Sequence, residues 1–275
     1  MNFWDALIVE AALLASATEL VTEDLQMGAS SDHCGSATRS RRRADPARRL
    51  PRPERARGLP GTLLAMLTLV LASASPARLG VLRAAGTDPV VRVSGVDEDA
   101  LAAKLRGAEP PALVTALARA KAEAVAATAE FLDAVVIGCD SMLLVDGELV
   151  GKPGSTHAAT QRWHRMAGST GELLTGHAVV RLGGGVVQAA AEGAERTLVR
   201  FSDTSAAEID AYVATGEPLQ VTGGFTLEGL GGWFVDGVDG SPSGVIGISL
   251  PLTRRLLADV GVGVPTLWAD TLRAE

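Results

Sequence analysis

Cysteine, lysine and aromatic residues are the scarce residue types in this chain of 275 residues. The two cysteines, Cys34 and Cys139, are too few for a disulfide framework, and their spacing matches no zinc-binding pattern. Because aromatic residues make up only 4% of the chain, we expect a core of aliphatic side chains. No apolar run is long enough to span a membrane. These absences favour a globular protein of the reducing cytoplasm, without membrane association.

The charge distribution argues against a nucleic-acid-binding protein. Only three lysines occur, Lys104, Lys121 and Lys152, and the formal net charge is −7. From residue 66 onward, 24 acidic side chains outnumber 16 basic ones. A nucleic-acid scaffold needs a basic face, which this composition does not supply. A polyanionic ligand would therefore require a local cluster of cations or a metal ion, and each of the rare lysines is a candidate for such a cluster.

Residues 1–65 differ in composition from the rest of the chain. Residues 30–60 are rich in Arg, Pro, Ser and Gly and nearly free of apolar side chains, a composition that predicts disorder. An arginine-rich nucleic-acid arm and a secretory signal are two functional alternatives. The third interpretation is an extra segment ahead of a natural start at Met66. We therefore predict a disordered or non-native extension over 1–65 and one folded domain over 66–275.

Strand and helix patterns are mixed from residue 66 onward, and Asp146-Gly147 predicts a tight hairpin. The patterns predict strands over 67–72, 90–93, 134–138, 142–145, 148–150, 173–182, 186–201 and 232–238, and helices over 76–85, 111–127, 156–166, 206–215 and 250–260. Helices mixed with hairpins predict an α/β or α+β fold with a mixed sheet.

The turn after the first predicted strand has the features of a phosphate-binding turn. Ser73 and Ser75 follow an apolar run, and Pro76 opens a helix. Small residues allow close approach of a ligand to the backbone, and the free N–H groups of a helix N-terminus attract phosphate. Arg78 lies in the first helical turn and could reach the same anion. The alternative is an ordinary helix cap.

Two further motifs follow apolar strands. The run VVIGCDS places Asp140 at the end of a buried strand, where ligand sites of open α/β sheets occur. Asp140 is therefore a candidate base or metal ligand, and the alternative is a turn-capping aspartate. Lys152 stands between Gly151 and Pro153 on a rigid loop that suits close approach to a ligand. Its alternative is an exposed, solvated lysine.

Asp97, Glu98 and Lys121 are weaker candidates. The two adjacent acids could bind a divalent cation through oxygen, or simply cap the next segment. Lys121 lies within a helical pattern and could meet the ligand. The alternative is an exposed lysine paired with Glu123 or Glu130.

The glycine-rich stretch 221–232, VTGGFTLEGLGG, is a candidate base-binding segment. Its glycines would allow backbone contact with a flat ligand, on which Phe225 could stack. The Glu228 carboxylate could accept hydrogen bonds from a base. The alternative is a glycine-rich surface loop.

The order of these motifs resembles the Maf family of nucleoside triphosphate pyrophosphatases, once named septum formation inhibitors. The motifs that carry the resemblance lie between residues 69 and 259, in the order LASASPARLGVL, SGVDE, LARAKA, VIGCDSMLLVDGELVGKP, LLTGHAVV, AYVATGEP and GGFTLEGLGGWFVDGVDGSPSGVIGISL.

The resemblance implies an elongated mixed α/β fold, similar to inosine triphosphatases, with a cleft between two lobes. It also implies cleavage of a nucleoside triphosphate to the monophosphate and pyrophosphate with a divalent metal, Mg²⁺ or Mn²⁺. The roles it implies are Asp140 as proton acceptor, Ser73, Ser75, Arg78, Lys121, Lys152 and Glu228 as substrate-binding residues, and Asp97 and Glu98 as metal ligands.

Departures from the family pattern leave the preferred base open. Ala77 stands where many members have the first of two adjacent arginines, and Gly171 stands where a histidine is common. Ser141 and Glu228 replace the Thr and Gln of members that cleave dTTP and UTP. The alternative function is a non-catalytic nucleotide-binding regulator of cell division. A homodimer is the assembly that we consider beside the monomer.

Overall fold

The computed structural model describes residues 67–268, so the predictions for residues 1–65 lie outside the described part. Within residues 67–268 the chain forms one seven-stranded sheet and seven α-helices. The strands are β1 (Thr68–Leu71), β2 (Val90–Val91), β3 (Ala134–Val145), β4 (Glu148–Val150), β5 (Thr170–Gly183), β6 (Val186–Phe201) and β7 (Val235–Asp239). The helices are α1 (Pro76–Ala84), α2 (Glu98–Lys104), α3 (Pro110–Ala126), α4 (Thr156–Met166), α5 (Ala206–Ala214), α6 (Pro242–Ile246) and α7 (Leu250–Asp259).

The long strand β3 organises the sheet, whose strand order is β2-β1-β3-β5-β6-β7. β5 runs antiparallel to β3 from residue 134 to residue 144. The opposite edge of β3 is shared, because β1 pairs parallel with residues 134–137 and β4 pairs antiparallel with residues 143–145. Among the described strands, none pairs with residues 138–142 on that edge. This gap opens where β1 ends, and it exposes the middle of β3 to a ligand.

The predicted mixed α/β fold is confirmed, but the division of β3 into two strands is wrong. The sequence favoured a break at Cys139, Asp140 and Ser141, whereas the ladder with β5 continues through all three. Tertiary pairing overrides the low strand propensity of an aspartate here. The predicted strand over 232–238 is also wrong at its start, because a 3₁₀-helix (Leu230–Phe234) precedes β7.

The core consists of two aliphatic clusters and one aromatic cluster. Aliphatic residues pack on both faces of the first half of β3, which confirms the predicted aliphatic core there. Around the second half of β3 the prediction is wrong, because Trp163 packs edge-on against Phe201, Tyr212 and Phe234 at centroid distances of 5.3–5.9 Å. The few aromatic residues are thus concentrated in one part of the fold.

Two glycines allow helix α3 to lie directly on the sheet. A Cβ at Gly138 would stand 2.2 Å from the Ala118 carbonyl oxygen, and one at Gly176 would stand 2.2 Å from the Val114 carbonyl oxygen. Gly176 pairs with Asp140 across the strands. Close approach of α3 at these two points places Lys121 against Asp140.

Within residues 67–268, every helix is too short or too polar to cross a bilayer.

Candidate active site

An open cavity of about 790 Å³ lies beside the uncovered edge of β3. Nine of the ten candidate residues predicted from the sequence line it, namely Ser73, Ser75, Arg78, Glu98, Lys121, Asp140, Lys152, Phe225 and Glu228. The tenth, Asp97, caps helix α2, where its Oδ1 accepts a hydrogen bond from the Ala100 N–H at 2.9 Å. The fold therefore brings the sequence motifs together around one space large enough for a small ligand.

A buried ion pair forms the floor of this cavity. The Lys121 Nζ donates to Asp140 Oδ1 at 2.6 Å and lies 2.9 Å from Glu98 Oε1. The side chains of Lys121 and Asp140 are each 8% exposed, whereas that of Glu98 is 52% exposed. Lys121 is thus neither exposed nor paired with Glu123 or Glu130, which excludes the alternative that the sequence left open.

Burial sets the protonation behaviour of Asp140. Loss of water around the carboxyl raises its pKa above the ordinary value, and the nearby Glu98 carboxylate adds to this shift. The Lys121 ammonium and, more weakly, the Arg78 guanidinium oppose the shift without cancelling it. Asp140 therefore holds a carboxylate that takes up a proton more readily than an exposed aspartate does.

Arg78 ties the elements around the cavity together. Its Nε donates to the Gly247 carbonyl oxygen at 2.9 Å, and its Nη1 donates to Ser73 Oγ at 3.0 Å and to the Cys139 carbonyl oxygen at 2.9 Å. Its Nη2 donates to Ser141 Oγ at 3.2 Å. A guanidinium has five N–H groups, so these four bonds leave one N–H of Nη2 for a ligand. Most of the Arg78 donors therefore hold the turn, β3 and the loop after α6 together.

The turn from Ser73 to Ser75 is a helix cap that also faces the cavity. Ser75 Oγ accepts from the Arg78 N–H at 3.4 Å, and Ser73 Oγ accepts from the Ser75 N–H at 3.2 Å. The capping alternative is therefore present in the structure. It does not exclude a ligand, because both serines border the same space.

Lys152 and Glu228 lie at the open rim of the cavity, and both are exposed. The Glu228 Oε2 accepts from the Leu227 N–H at 3.2 Å. Within residues 67–268, Lys152 forms no ion pair shorter than 4 Å, so its ammonium can turn toward an anion. Phe225, by contrast, is 4% exposed and packs edge-on against Phe201 at 5.0 Å. Its ring belongs to the aromatic cluster, and only a small part of it borders the cavity.

Comparisons with known proteins give the family of this chain. Residues 68–260 match the family described as Maf-like protein. The chain belongs to the Maf family. Three relatives are named nucleoside triphosphate pyrophosphatase. That of Saccharopolyspora erythraea is 68% identical over 74% of this chain and 97% of its own length. Those of Nocardia farcinica and Rhodococcus opacus are 63% and 59% identical, over 75% and 76% of this chain and 99% and 100% of their own lengths.

Two polar residues of this Maf-family chain, one buried and one partly buried, support the surroundings of the cavity and were not predicted from the sequence. His177 is fully buried on β5, and burial lowers its pKa to about 4. Its Nδ1–H donates to the Thr175 carbonyl oxygen at 3.0 Å, and its Nε2 accepts from the Ser249 N–H at 2.8 Å. The neutral ring thus fixes the N-terminus of α7 to the sheet. A histidine within the apolar strand LLTGHAVV was the available signal.

The second is Glu217, from the motif AYVATGEP. Its carboxylate lies beneath the glycine-rich stretch and accepts several hydrogen bonds from it. The sequence marked this motif only as part of the family pattern. The position of this glutamate between Gly216 and Pro218 did not indicate that its carboxylate accepts hydrogen bonds from the glycine-rich stretch.

Proposed function

We propose that this protein hydrolyses nucleoside triphosphates to the nucleoside monophosphate and pyrophosphate. The observation that carries the proposal is the buried pair of Lys121 and Asp140 on the floor of an open cavity, in a chain of the Maf family. The relatives named nucleoside triphosphate pyrophosphatase share most of this chain at high identity, which favours the enzyme over a non-catalytic regulator of cell division.

The cavity offers cationic groups suited to a triphosphate. Lys121 lies on the floor of the cavity, and Lys152 lies at its rim. One N–H of the Arg78 guanidinium is not used by the hydrogen bonds to the serines and carbonyl oxygens, so it can donate to a phosphate. Phosphoryl transfer depends mainly on positioning and on neutralising charge. In an otherwise acidic protein, this local cluster is what allows an acidic ligand to bind.

Asp140 is the residue that we assign as general base. Its carboxylate would take a proton from the water that attacks the α-phosphorus. The bond from the α-phosphorus to the bridging oxygen then breaks, and pyrophosphate leaves with the electron pair. Because burial raises the pKa of Asp140 toward neutrality, the carboxylate is a better proton acceptor than an exposed aspartate. Lys121 would then stand within reach of the same reacting centre.

A divalent cation, Mg²⁺ or Mn²⁺, belongs to the proposal, and the residues present fit one that arrives with the substrate. Within residues 67–268, no three His, Cys, Asp or Glu side chains converge on one point. Glu98 lines the cavity, and its side chain is 52% exposed. Magnesium is commonly held by one or two carboxylates together with substrate phosphates. Glu98 would hold it together with the phosphates, and it would neutralise phosphate charge. Asp97 is less suited because it caps α2.

We further place this activity in the cytoplasm, where nucleotide pools are found, with the nucleotide as the ligand and no nucleic-acid partner. A homodimer is the assembly that sedimentation would test against the monomer.

A panel of nucleotides tests the function directly. We expect the protein with Mg²⁺ or Mn²⁺ to release pyrophosphate from at least one canonical or modified nucleoside triphosphate. The measurement is coupled detection of pyrophosphate, and chromatography should show the monophosphate in equal amount. Release of orthophosphate instead, or of nothing from any nucleotide, would contradict the proposal and favour a nucleotide-binding regulator.

Lys152→Ala should weaken binding of triphosphates selectively. Loss of one charge-assisted contact costs about 1.5–3 kcal/mol, so we expect KM for the triphosphate to rise roughly 10- to 100-fold. Binding of the corresponding nucleoside, measured by calorimetry, should not change. Lys104→Ala is the matched control, because Lys104 is an exposed lysine on α2 that does not line the cavity. Equal losses for nucleoside and triphosphate would instead indicate a structural role.

A further inference from the structure

The glycine-rich loop 221–232 is folded around a single carboxylate. Four donors converge on the side chain of Glu217. Its Oε1 accepts from Tyr212 Oη at 2.9 Å, from Thr226 Oγ1 at 2.5 Å and from the Gly231 N–H at 3.0 Å, and its Oε2 accepts from the Leu230 N–H at 3.0 Å. The carboxylate therefore holds the end of the loop in place.

The ionised form of Glu217 suits these partners. Partial burial acts to raise its pKa, but the hydrogen bonds from Thr226, Leu230, Gly231 and Tyr212 together hold the pKa below its ordinary value. Every partner acts as a donor to the carboxylate. A neutral amide, which replaces one acceptor oxygen with an NH₂ group, would face at least one of these donors with another donor.

The glycines of the loop are explained by close approach to this network. A Cβ at Gly229 would stand 2.7 Å from Glu217 Oε2, and one at Gly231 would stand 2.6 Å from Tyr212 Oη. The start of the loop is held separately, because the Trp163 Nε1–H donates to the Gly224 carbonyl oxygen at 2.8 Å. Both ends of the loop are thus fixed by buried or partly buried side chains.

The loop borders the cavity away from the reacting carboxylate. A Cβ at Gly223 would contact Leu143 at 3.1 Å, and Leu143 lies three residues beyond Asp140 on β3. A strand rises about 3.3 Å per residue, so the two positions are separated by about 10 Å. Thr226 and Glu228 line the same cavity from this loop. When the α-phosphate lies at Asp140, this end of the cavity is left for the base.

We propose that Glu217 is a positioning residue for base discrimination. It touches no part of the nucleotide itself. By fixing the loop, Glu217 holds Glu228 and neighbouring backbone groups in one arrangement. Binding of a base therefore does not cost the free energy of ordering the loop. This inference rests on the proposed binding of a nucleoside triphosphate in the cavity, but not on its hydrolysis.

Glu217→Gln tests this role through binding rather than turnover. The probes are α,β-methylene analogues of the four common nucleoside triphosphates with Mg²⁺, titrated by calorimetry. For the wild type we expect at least a tenfold spread in Kd among the bases. In the variant we expect that spread to shrink about tenfold, through weaker binding of the preferred base. Inorganic tripolyphosphate, which has no base, should bind both proteins equally.

Amide hydrogen exchange measured by NMR supplies an independent readout of the loop. The Leu230 and Gly231 amides should lose protection in Glu217→Gln. Gly229→Ala is the second variant, because its new methyl group would displace the carboxylate while the negative φ of −117° accepts alanine without strain. Glu208→Gln and Gly80→Ala are matched controls. Glu208 is an exposed carboxylate on α5 that caps its own helix, and nothing lies within 4 Å of a Cβ at Gly80.

The outcomes separate the inference from the proposed function. Lost protection together with a reduced spread in Kd supports the role of Glu217. Lost protection with an unchanged spread overturns it, as does unchanged protection in both variants, or a wild type that binds all four bases equally. Failure of the wild type to release pyrophosphate contradicts hydrolysis alone, because the titrations do not require turnover.

Discussion

Asp140→Asn should lower kcat by roughly 10²- to 10⁴-fold while leaving the fold intact. Loss of a positioned general base costs a rate factor of this size. The asparagine keeps an oxygen that can accept from Lys121, and Lys121 retains Glu98 at 2.9 Å, so the buried ammonium stays paired. Steady-state kinetics with the best substrate of the panel measures the rate, and thermal unfolding measures the fold.

The pH profile distinguishes a base from a merely structural aspartate. Because burial raises the pKa of Asp140, wild-type activity should fall as the pH is lowered through that raised value, where the carboxylate becomes protonated. This acid limb should disappear in Asp140→Asn. Asp146→Asn, in the exposed β3–β4 turn, is the control, because asparagine tolerates the positive φ of 50° found there. Near-normal turnover in Asp140→Asn would exclude Asp140 as the base.

Much of the fold follows from the spacing of apolar residues, because hairpins and amphipathic helices leave local patterns. The pattern gave a wrong prediction at Asp140, because Asp140 and Ser141 are polar residues in the middle of a strand and indicated the end of one. The decisive feature is the ladder between β3 and β5, which involves residues about 35 positions apart. Single-residue propensities carry no information on such a distant partner.

The position of Lys121 shows why the sequence predicts which residues belong to the site better than it predicts how they are oriented. In the predicted helix over 111–127, one stripe at helical spacing contains Leu113, Leu117, Ala120, Ala124 and Ala127, and this spacing predicts that the stripe is buried. Of these residues only Leu117 is buried, and the buried face runs through Val114, Leu117 and Lys121, so the helix is rotated from the predicted orientation. Alanine side chains are small enough to lie on either the buried or the exposed face of a helix, so they do not fix its rotation. The rotation of α3 is fixed by close contact of its backbone with Gly138 and Gly176. A glycine in a strand allows several interpretations, of which close helix approach is one.

The glycine-rich loop shows a limit of composition. The sequence left open whether its glycines serve a ligand or belong to a surface loop, and the structure shows that Gly229 and Gly231 closely approach Glu217 and Tyr212. Composition reveals that the backbone must come close to something. It does not reveal whether that neighbour is a ligand or a side chain of the protein.

Lys121→Met should destabilise the protein by about 3–5 kcal/mol at pH 8, because it leaves the buried Asp140 carboxylate without its cation. Methionine has a similar length, so little packing is lost. The measurement is the free energy of unfolding from denaturant titration. Lys104→Met is the control, since Lys104 is exposed on α2 and its substitution should change the free energy of unfolding little.

The loss in Lys121→Met should depend on pH in a defined direction. Without the ammonium, burial raises the folded-state pKa of Asp140 still further above its unfolded value. A group with a raised folded pKa stabilises the fold at low pH and loses that contribution as the pH rises through the folded value. The destabilisation should therefore be smaller at pH 5 than at pH 8. Adding Asp140→Asn should recover most of the loss, because it removes the unpaired charge. A loss that is equal at both pH values, or that the second substitution leaves unchanged, would mean that Lys121 stabilises the fold by packing rather than by charge.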